Sequence, residues 1–238
     1  MEGSLLTVLI LGFILGIKHA MEPDHVIAVS TIASQSKKLG KSALAGVFWG
    51  IGHTATLLVM GVTLILMKGQ IPEEWSMSLE FLVGIMLVYL GLSSIVAYRQ
   101  TRTQSHLYKH EATVHTHFHS RAAMQSHQYD HAGISYRKSV LIGFVHGLAG
   151  SAAMVLLTIS TVSGIWQSCA YILVFGAGTI AGMMLMTTAI GIPFVISAGK
   201  QTCNRLLSQG TGWISAAFGL YYMYTLGVTE GLFRIWFS

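Results

Sequence analysis

Two imidazoles and two carboxylates interrupt an otherwise apolar segment near the start of the chain. The stretch reads GIKHAMEPDHVIAV, and its chemically active side chains are His19, Glu22, Asp24 and His25. Two imidazoles with a carboxylate make a ligand set suited to a divalent first-row metal ion, since neutral imidazole binds nickel, cobalt, zinc and copper. Ionisable groups inside an apolar segment are functional candidates by default. The stretch therefore predicts a metal site.

Pro23 predicts how these side chains come together. Proline has no N–H, and its ring clashes with the carbonyl four residues earlier, which here belongs to His19. The helix should therefore kink or open between His19 and Pro23. In an unbroken helix His19, Asp24 and His25 would point in widely different directions. The break lets them converge and frees the His19 carbonyl as a further oxygen.

Three more ionisable residues are candidates for the same site or for a relay. Glu22 could be a ligand, although pairing with Lys18, one turn earlier, is the favoured interpretation. His53 lies in WGIGHTAT, whose glycines allow a neighbouring helix to approach closely. For His53, a role as ligand or relay is as well supported as a simple hydrogen bond between helices. His146 has the same two interpretations. Neither histidine has a carboxylate nearby in the sequence.

The composition indicates a membrane protein. Of 238 residues, 53% are hydrophobic and 10% charged, whereas a soluble domain carries about 25% charged residues. At about 20 apolar residues per span, the predicted fold class is an all-α integral membrane protein with six transmembrane helices. They lie near Leu5–Ala33, Ser42–Met67, Leu79–Tyr98, Ser139–Ser163, Cys169–Ser197 and Thr211–Phe233. Glu80 falls near the outer end of the third helix, where an interfacial position is expected.

Lysine and arginine predict the orientation of these helices. With both termini outside, the cytoplasmic loops hold most of the 14 basic residues, while Lys68 and Arg234 lie outside and Lys18 lies within the first span. The net charge of +5 then reflects topology, and nucleic acid is not an expected partner. The predicted location is the cell membrane, where the lipid bilayer surrounds the protein.

The two halves of the chain resemble each other at an offset of 127 residues. GIKHAMEPDHVIAVSTI (16–32) aligns with GFVHGLAGSAAMVLLTI (143–159), which matches His19 with His146. Three helices per copy would make the second copy enter from the opposite face, giving a 3+3 inverted repeat with the substrate near the midplane. The alternative is chance similarity among glycine-rich apolar segments. The predicted domains are residues 1–98, the first repeat with the metal signature; 99–138, a loop; and 139–238, the second repeat.

The segment 99–138 is predicted to be a His-rich cytoplasmic loop. It holds seven histidines, with His115, His117 and His119 in the central HTHFH. Its few large apolar residues predict a mostly disordered segment. Histidine-rich tracts bind metal without a fixed pocket. Metal buffering or sensing is therefore the expected role, and a solvated linker is the alternative.

These motifs resemble those of the nickel/cobalt transporter family. HAMEPDH resembles its His-x4-Asp-His signature, and GHTAT resembles its His-Ser/Thr motif in the following helix. The span number is similar to that of the shorter urease-associated nickel permeases. The resemblance implies a nickel or cobalt permease with His19, Asp24 and His25 as signature ligands and His53 as their partner. The ion would be a substrate, no prosthetic group is expected, and a metal chaperone or urease maturation proteins could be cytoplasmic partners.

The second half departs from the family pattern. An acidic GFDTATE-like motif is replaced by GLAGSAA (147–153), and AGMMLMTT (181–188) has Thr187 where the family has aspartate. These losses put the acidic contribution of the second half in doubt.

Three functions fit the residues. The favoured one is a secondary transporter that takes up Ni²⁺ or Co²⁺, and the second is an exporter of the same ions, which a cytoplasmic His-rich loop would also suit. The third is an intramembrane metalloenzyme, which is disfavoured because the helical His-Glu-x-x-His motif does not occur. The nucleotide-binding GxxxxGK[ST] loop does not occur either, so ATP-driven transport would need a partner protein. The chain is predicted to be a secondary transporter and not an enzyme.

Overall fold

The computed structural model describes residues 5–36, 38–67, 72–99, 103–110, 113–120, 135–161 and 164–237. At 97–99, 103–110, 113–120, 151–161 and 201 it describes the backbone alone. The α-helices are α1 Leu5–His19, α2 Pro23–Ala33, α3 Leu39–Met67, α4 Glu73–Arg99, α5 Tyr136–Thr161, α6 Ile165–Ser197, α7 Gln201–Tyr224 and α8 Leu232–Trp236. A π-helical turn, Thr225–Thr229, extends α7.

Three of these helices are long and apolar enough to cross a membrane, namely α3, α4 over Glu73–Val96, and α6. The bent pair α1 and α2, with 59° between their axes, makes a fourth span if the two are counted together. The protein is thus a helical membrane protein with three or four candidate spans among its described residues. The helices α5 and α7 occupy the positions of the other two predicted spans. Neither is among the candidate spans of the described residues.

A β-hairpin lies within the segment predicted as a mostly disordered loop. Strand β1, Thr103–His110, pairs antiparallel with β2, Thr113–Ser120, in a register from Thr103 opposite Ser120 to His110 opposite Thr113. Low apolar content predicts disorder, but the threonine, valine, tyrosine and phenylalanine residues of this segment favour strands. The side chains of His115, His117 and His119 lie outside the described residues.

Helix α3 is the centre of the bundle. It packs along both α5 and α6, while α1 packs along α6 and α4 packs along α7. Trp49, Leu87 and Met183 are fully buried where these helices meet. Large apolar side chains cover the outer faces instead, as at Leu6 and Leu141. Apolar outer surfaces of this extent are typical of a protein surrounded by lipid.

Glycines permit the closest helix contacts. A methyl group added at Gly16 of α1 would meet the backbone carbonyl of Phe175 in α6, and one at Gly52 of α3 would meet that of Val140 in α5. The close approach predicted for the glycines around His53 is therefore confirmed. These contacts fix the depth at which α1, α3 and α5 present their histidines to one another.

Candidate metal centre

The chain opens between α1 and α2, where Pro23 predicted a break. Helix α1 ends at His19 and α2 begins at Pro23, with Pro23 in the first helical turn. Such a position suits proline because its missing N–H would have no partner there. The His19 carbonyl accepts the Glu22 N–H at 3.1 Å, so the oxygen that was expected to be free has a partner. Asp24 lies in the first turn of α2, where the helix dipole favours a negative charge.

Three histidines from α1, α2 and α3 meet beside this break. The Nε2 atoms of His19 and His53 are 3.2 Å apart, and the ring centres of His19 and His25 are 4.6 Å apart. One ligand nitrogen from each of the three rings lies within 4.8 Å of the other two. His25 and His53 are buried, and Nε2 of His25 has no hydrogen-bond partner among the described atoms.

Asp24 joins a second group, with His25 and His146. One carboxylate oxygen accepts Nδ1–H of His25 at 3.0 Å and the backbone N–H of His25 at 2.9 Å. The other accepts Nε2–H of His146 at 2.9 Å. No carboxylate lies near His146 in the sequence, but the fold places its side chain against that of Asp24, at the start of α2. For His53, no carboxylate bond occurs among the described residues.

Glu22 pairs with a histidine and not with Lys18. Its Oε2 lies 3.0 Å from Nδ1 of His19. The predicted pair with Lys18 needs a continuous helix from residue 18 to 22, and α1 ends at His19. His19 and His25 thus have the same arrangement, in which a carboxylate holds Nδ1 and leaves Nε2 for another partner.

Every residue of the two groups except His53 lines one cavity of about 370 Å³. Its wall includes His19, Asp24, His25 and His146, which the sequence singled out. It also includes Glu80 and Tyr222, whose hydroxyl donates to Glu80 Oε2 at 3.1 Å. Glu80 was predicted to sit at the membrane interface, and Tyr222 was not predicted at all. A carboxylate two turns inside an apolar helix was the signal for Glu80.

The distances between the imidazoles fit a metal ion. Zinc–nitrogen bonds of about 2.0–2.1 Å separate neighbouring ligand nitrogens by about 2.9–3.4 Å at tetrahedral to right angles. The 3.2 Å between the Nε2 atoms of His19 and His53 falls in that range. Without a metal ion these two nitrogens share one proton, and a metal ion would displace it.

The sequence matches a protein family over most of its length. Residues 5–204 match the model of the family described as "High-affinity nickel-transport protein". The chain belongs to this family. Its resemblance to nickel transporters is thereby confirmed, as is the prediction of a Ni²⁺ or Co²⁺ permease and not an enzyme. Divalent metal is the substrate of the nickel-transport family, and the apolar helices agree with a membrane protein.

Similar proteins come from bacteria and plants. The chain is 60% identical over 233 residues to "Urease accessory protein UreH" of Bacillus sp. (strain TB-90), covering 98% of this chain and 97% of that protein. It is 26% identical over 221 residues to "Chloroplast protein FOR GROWTH AND FERTILITY 1" of Arabidopsis thaliana, covering 88% of this chain and 56% of that protein. No solved structure is significantly similar.

Proposed function

We propose that the protein takes up Ni²⁺ across the cell membrane and binds it through His19, His25 and His53. The observation that carries this proposal is the group of three imidazoles beside the α1–α2 break, with His25 buried and its Nε2 atom without a partner. A buried polar atom without a partner is destabilising in a folded protein. A bound cation would satisfy it.

The group around Asp24 is the less favourable position for the ion. Each Asp24 oxygen already accepts a hydrogen bond from an imidazole, one from His25 and one from His146. A metal ion there would have to displace both. At the three-imidazole position the ion displaces only the proton between His19 and His53.

Asp24 and Glu22 then orient the ligands. A carboxylate bound to Nδ1–H fixes the tautomer, so that Nε2 presents its lone pair to the metal ion. Asp24 does this for His25, Glu22 does it for His19, and His146 holds the second oxygen of Asp24. Asp24 is therefore proposed as a positioning residue, where the family resemblance implied a ligand.

We also propose six spans in a 3+3 inverted repeat, with both termini outside. Packing supports it, because the first helix of each half lies against the second helix of the other half, as α1 does against α6 and α5 against α3. The glycine approaches form equivalent sets: Gly16 with Phe175 and Gly143 with Trp49, then Gly178 with Phe13 and Gly52 with Val140. Equivalent positions lie 127 residues apart in the first helices and 126 in the second.

Uptake would supply a nickel-requiring process in the cytoplasm. The bacterial relative named as a urease accessory protein supports a link to urease maturation. In this proposal the segment 99–138, with His115, His117 and His119 at its centre, buffers the ion after it has crossed. That role uses imidazoles without a fixed pocket.

Uptake into proteoliposomes tests the proposal. Purified protein is given Ni²⁺, Co²⁺, Zn²⁺, Mn²⁺ or Cu⁺, with and without a proton gradient. We expect uptake of Ni²⁺ or Co²⁺ that is lost in His25→Ala and kept in the loop variant His127→Ala. If neither variant lost uptake, the three imidazoles would have no part in the mechanism. Transport that runs only from the cytoplasmic face of the protein to its outer face would favour the exporter.

A further inference from the structure

Glu80 is a carboxylate within an apolar helix, and the three-imidazole site does not explain its function. It lies two turns into α4 and faces the cavity that holds the histidines. No ion pair of Glu80 occurs in the described part of the chain. Charged groups at such positions are expensive and are kept for a function.

The hydrogen bonds of Glu80 do not require its charge. Tyr222 donates to one oxygen at 3.1 Å, and Ser76 is 3.5 Å from the other. A glutamine oxygen could also accept a hydrogen bond from the Tyr222 hydroxyl, although a weaker one. The contact between α4 and α7 also has its own basis, since Gly84 and Gly219 let the two backbones approach closely.

The charge of the cavity favours a cation. Three carboxylates line it, Glu22, Asp24 and Glu80, against one ammonium group, Lys18. A concave site with an excess of one charge concentrates ions of the opposite charge. His25 lines the same cavity and is 1% exposed, and its Nε2 atom has no hydrogen-bond partner among the described atoms.

Glu80 adds a different kind of ligand to this cavity. The ligand atoms of His19, His25 and His53 lie within 4.8 Å of one another, and Glu80 is part of neither ligand group among the described residues. Glu80 therefore offers an ion a separate position on the wall of the same cavity. It offers an oxygen ligand that binds hydrated divalent ions weakly, whereas the imidazoles offer nitrogen ligands that bind nickel and cobalt more strongly. In the proposed topology α4 begins outside, so an ion that enters from outside meets Glu80, two turns from the start of α4, before it meets the imidazoles.

We propose that Glu80, held by Tyr222, is a second cation-binding residue of the transport path that captures the divalent ion before the imidazoles bind it. This inference rests on the proposed function. Glu80 would place a carboxylate of α4 on the transport path, whereas the second half of the chain lacks the acidic residues of the family pattern.

The test compares initial rates of Ni²⁺ uptake by proteoliposomes containing the full chain. Glu80→Gln removes the charge and keeps the acceptor, and Glu74→Gln removes an exposed charge from the first turn of the same helix as the control. We expect Glu80→Gln to raise KM by about tenfold, the effect of one charge-assisted contact, with the maximal rate retained. Because exposed charges are screened by salt, KM of the unchanged protein should rise with ionic strength more than KM of Glu80→Gln.

The Tyr222→Phe variant tests whether KM depends on the charge of Glu80 or on its hydrogen bond to Tyr222. It removes the hydrogen bond and keeps the charge, so KM should change less than in Glu80→Gln. A KM in Glu80→Gln equal to that of Glu74→Gln would overturn the inference, as would a larger effect from Tyr222→Phe. If Glu80→Gln does not insert, Glu80→Ala, which also removes the charge, takes its place, and an unchanged KM again overturns it. Absence of Ni²⁺ uptake by the unchanged protein would instead contradict the proposed function.

Discussion

Asp24 accepts a hydrogen bond from Nε2 of His146 at 2.9 Å, across 122 residues of chain. This bond joins the break after α1 to the middle of α5, and so couples the two halves of the protein at the candidate metal centre. His146 does not have to touch the ion to matter. It fixes the carboxylate that fixes His25.

Replacement of His146 should weaken Ni²⁺ binding in a graded way. We expect His146→Ala to lose about 10–100-fold in affinity, as is usual when the support of a ligand is removed. His146→Gln should recover part of that loss, because its amide N–H can still donate to Asp24. Calorimetric titration of purified protein lacking residues 105–131, whose histidines would also bind the ion, measures both. A loss of the same size in the two variants would contradict the positioning role.

Asp24→Asn distinguishes an orienting carboxylate from a ligand. Asparagine keeps one oxygen acceptor for His25, so binding should fall by about 10–100-fold and remain measurable. His25→Ala removes a ligand, and its binding should fall below detection. The same titration applies, with circular dichroism to verify helix content. If Asp24→Asn abolished binding as completely as His25→Ala, Asp24 would be a ligand.

Deletion of residues 105–131 should leave transport intact. The three imidazoles lie in α1, α2 and α3, and the segment contributes none of them. We expect uptake rates in proteoliposomes close to those of the full chain, with altered tolerance of cells to excess nickel. Complete loss of uptake by a correctly inserted deletion variant would mean that the essential chemistry lies in the loop.

Metal affinity should fall as the pH falls through the histidine range. Metal binding needs an unprotonated imidazole nitrogen, so protons compete with the ion and binding releases them. Between about pH 7.5 and 5.5, which brackets the free histidine value, affinity should decrease, and the decrease should shrink in His25→Gln. Binding is measured on protein lacking residues 105–131, so that the loop histidines do not contribute. A flat profile would count against imidazole ligands.

Gly16 should tolerate no side chain. A methyl group there would meet the Phe175 carbonyl, whereas one at Gly40 in α3 would meet nothing within 4 Å. Overpacking of this kind destabilises by about 1–3 kcal/mol, so Gly16→Ala should lower the thermal unfolding midpoint in detergent. Gly40→Ala is the matched control, and its midpoint should stay the same or rise. Equal midpoints would show that α1 can shift away from α6.

The sequence was sufficient for the local part of the site. The effect of Pro23 on the carbonyl of His19 is a property of neighbouring residues, and the break appears where it was predicted. The pair between Glu22 and Lys18 failed for a local reason too, because the i,i+4 rule assumes the helix that Pro23 interrupts. A continuous helix that pairs Glu22 with Lys18 and a break at Pro23 cannot both occur, and only the break is found.

Contacts between distant helices could not be derived in the same way. Nothing near His146 in the chain indicates that Asp24 lies beside it, since that depends on how α5 packs in the bundle, chiefly against α3. Glu80 was assigned to the interface from its distance to the helix end, but its partner Tyr222 is 142 residues away. The composition predicted where the helices lie along the chain. It could not predict which helices are neighbours, because a single sequence does not show which helix each glycine contacts.

The packing of α1 against α6 has a consequence for how the protein is made. As the ribosome delivers the chain, the first helix emerges with its ionisable end at His19 and its glycine face at Gly12 and Gly16 without their eventual neighbours, Tyr171 and Phe175. Some 150 further residues must be synthesised before α6 can cover that face. During this interval the nascent first helix depends on lipid, the translocation machinery or a membrane chaperone, although every residue of the metal centre has been synthesised by position 146.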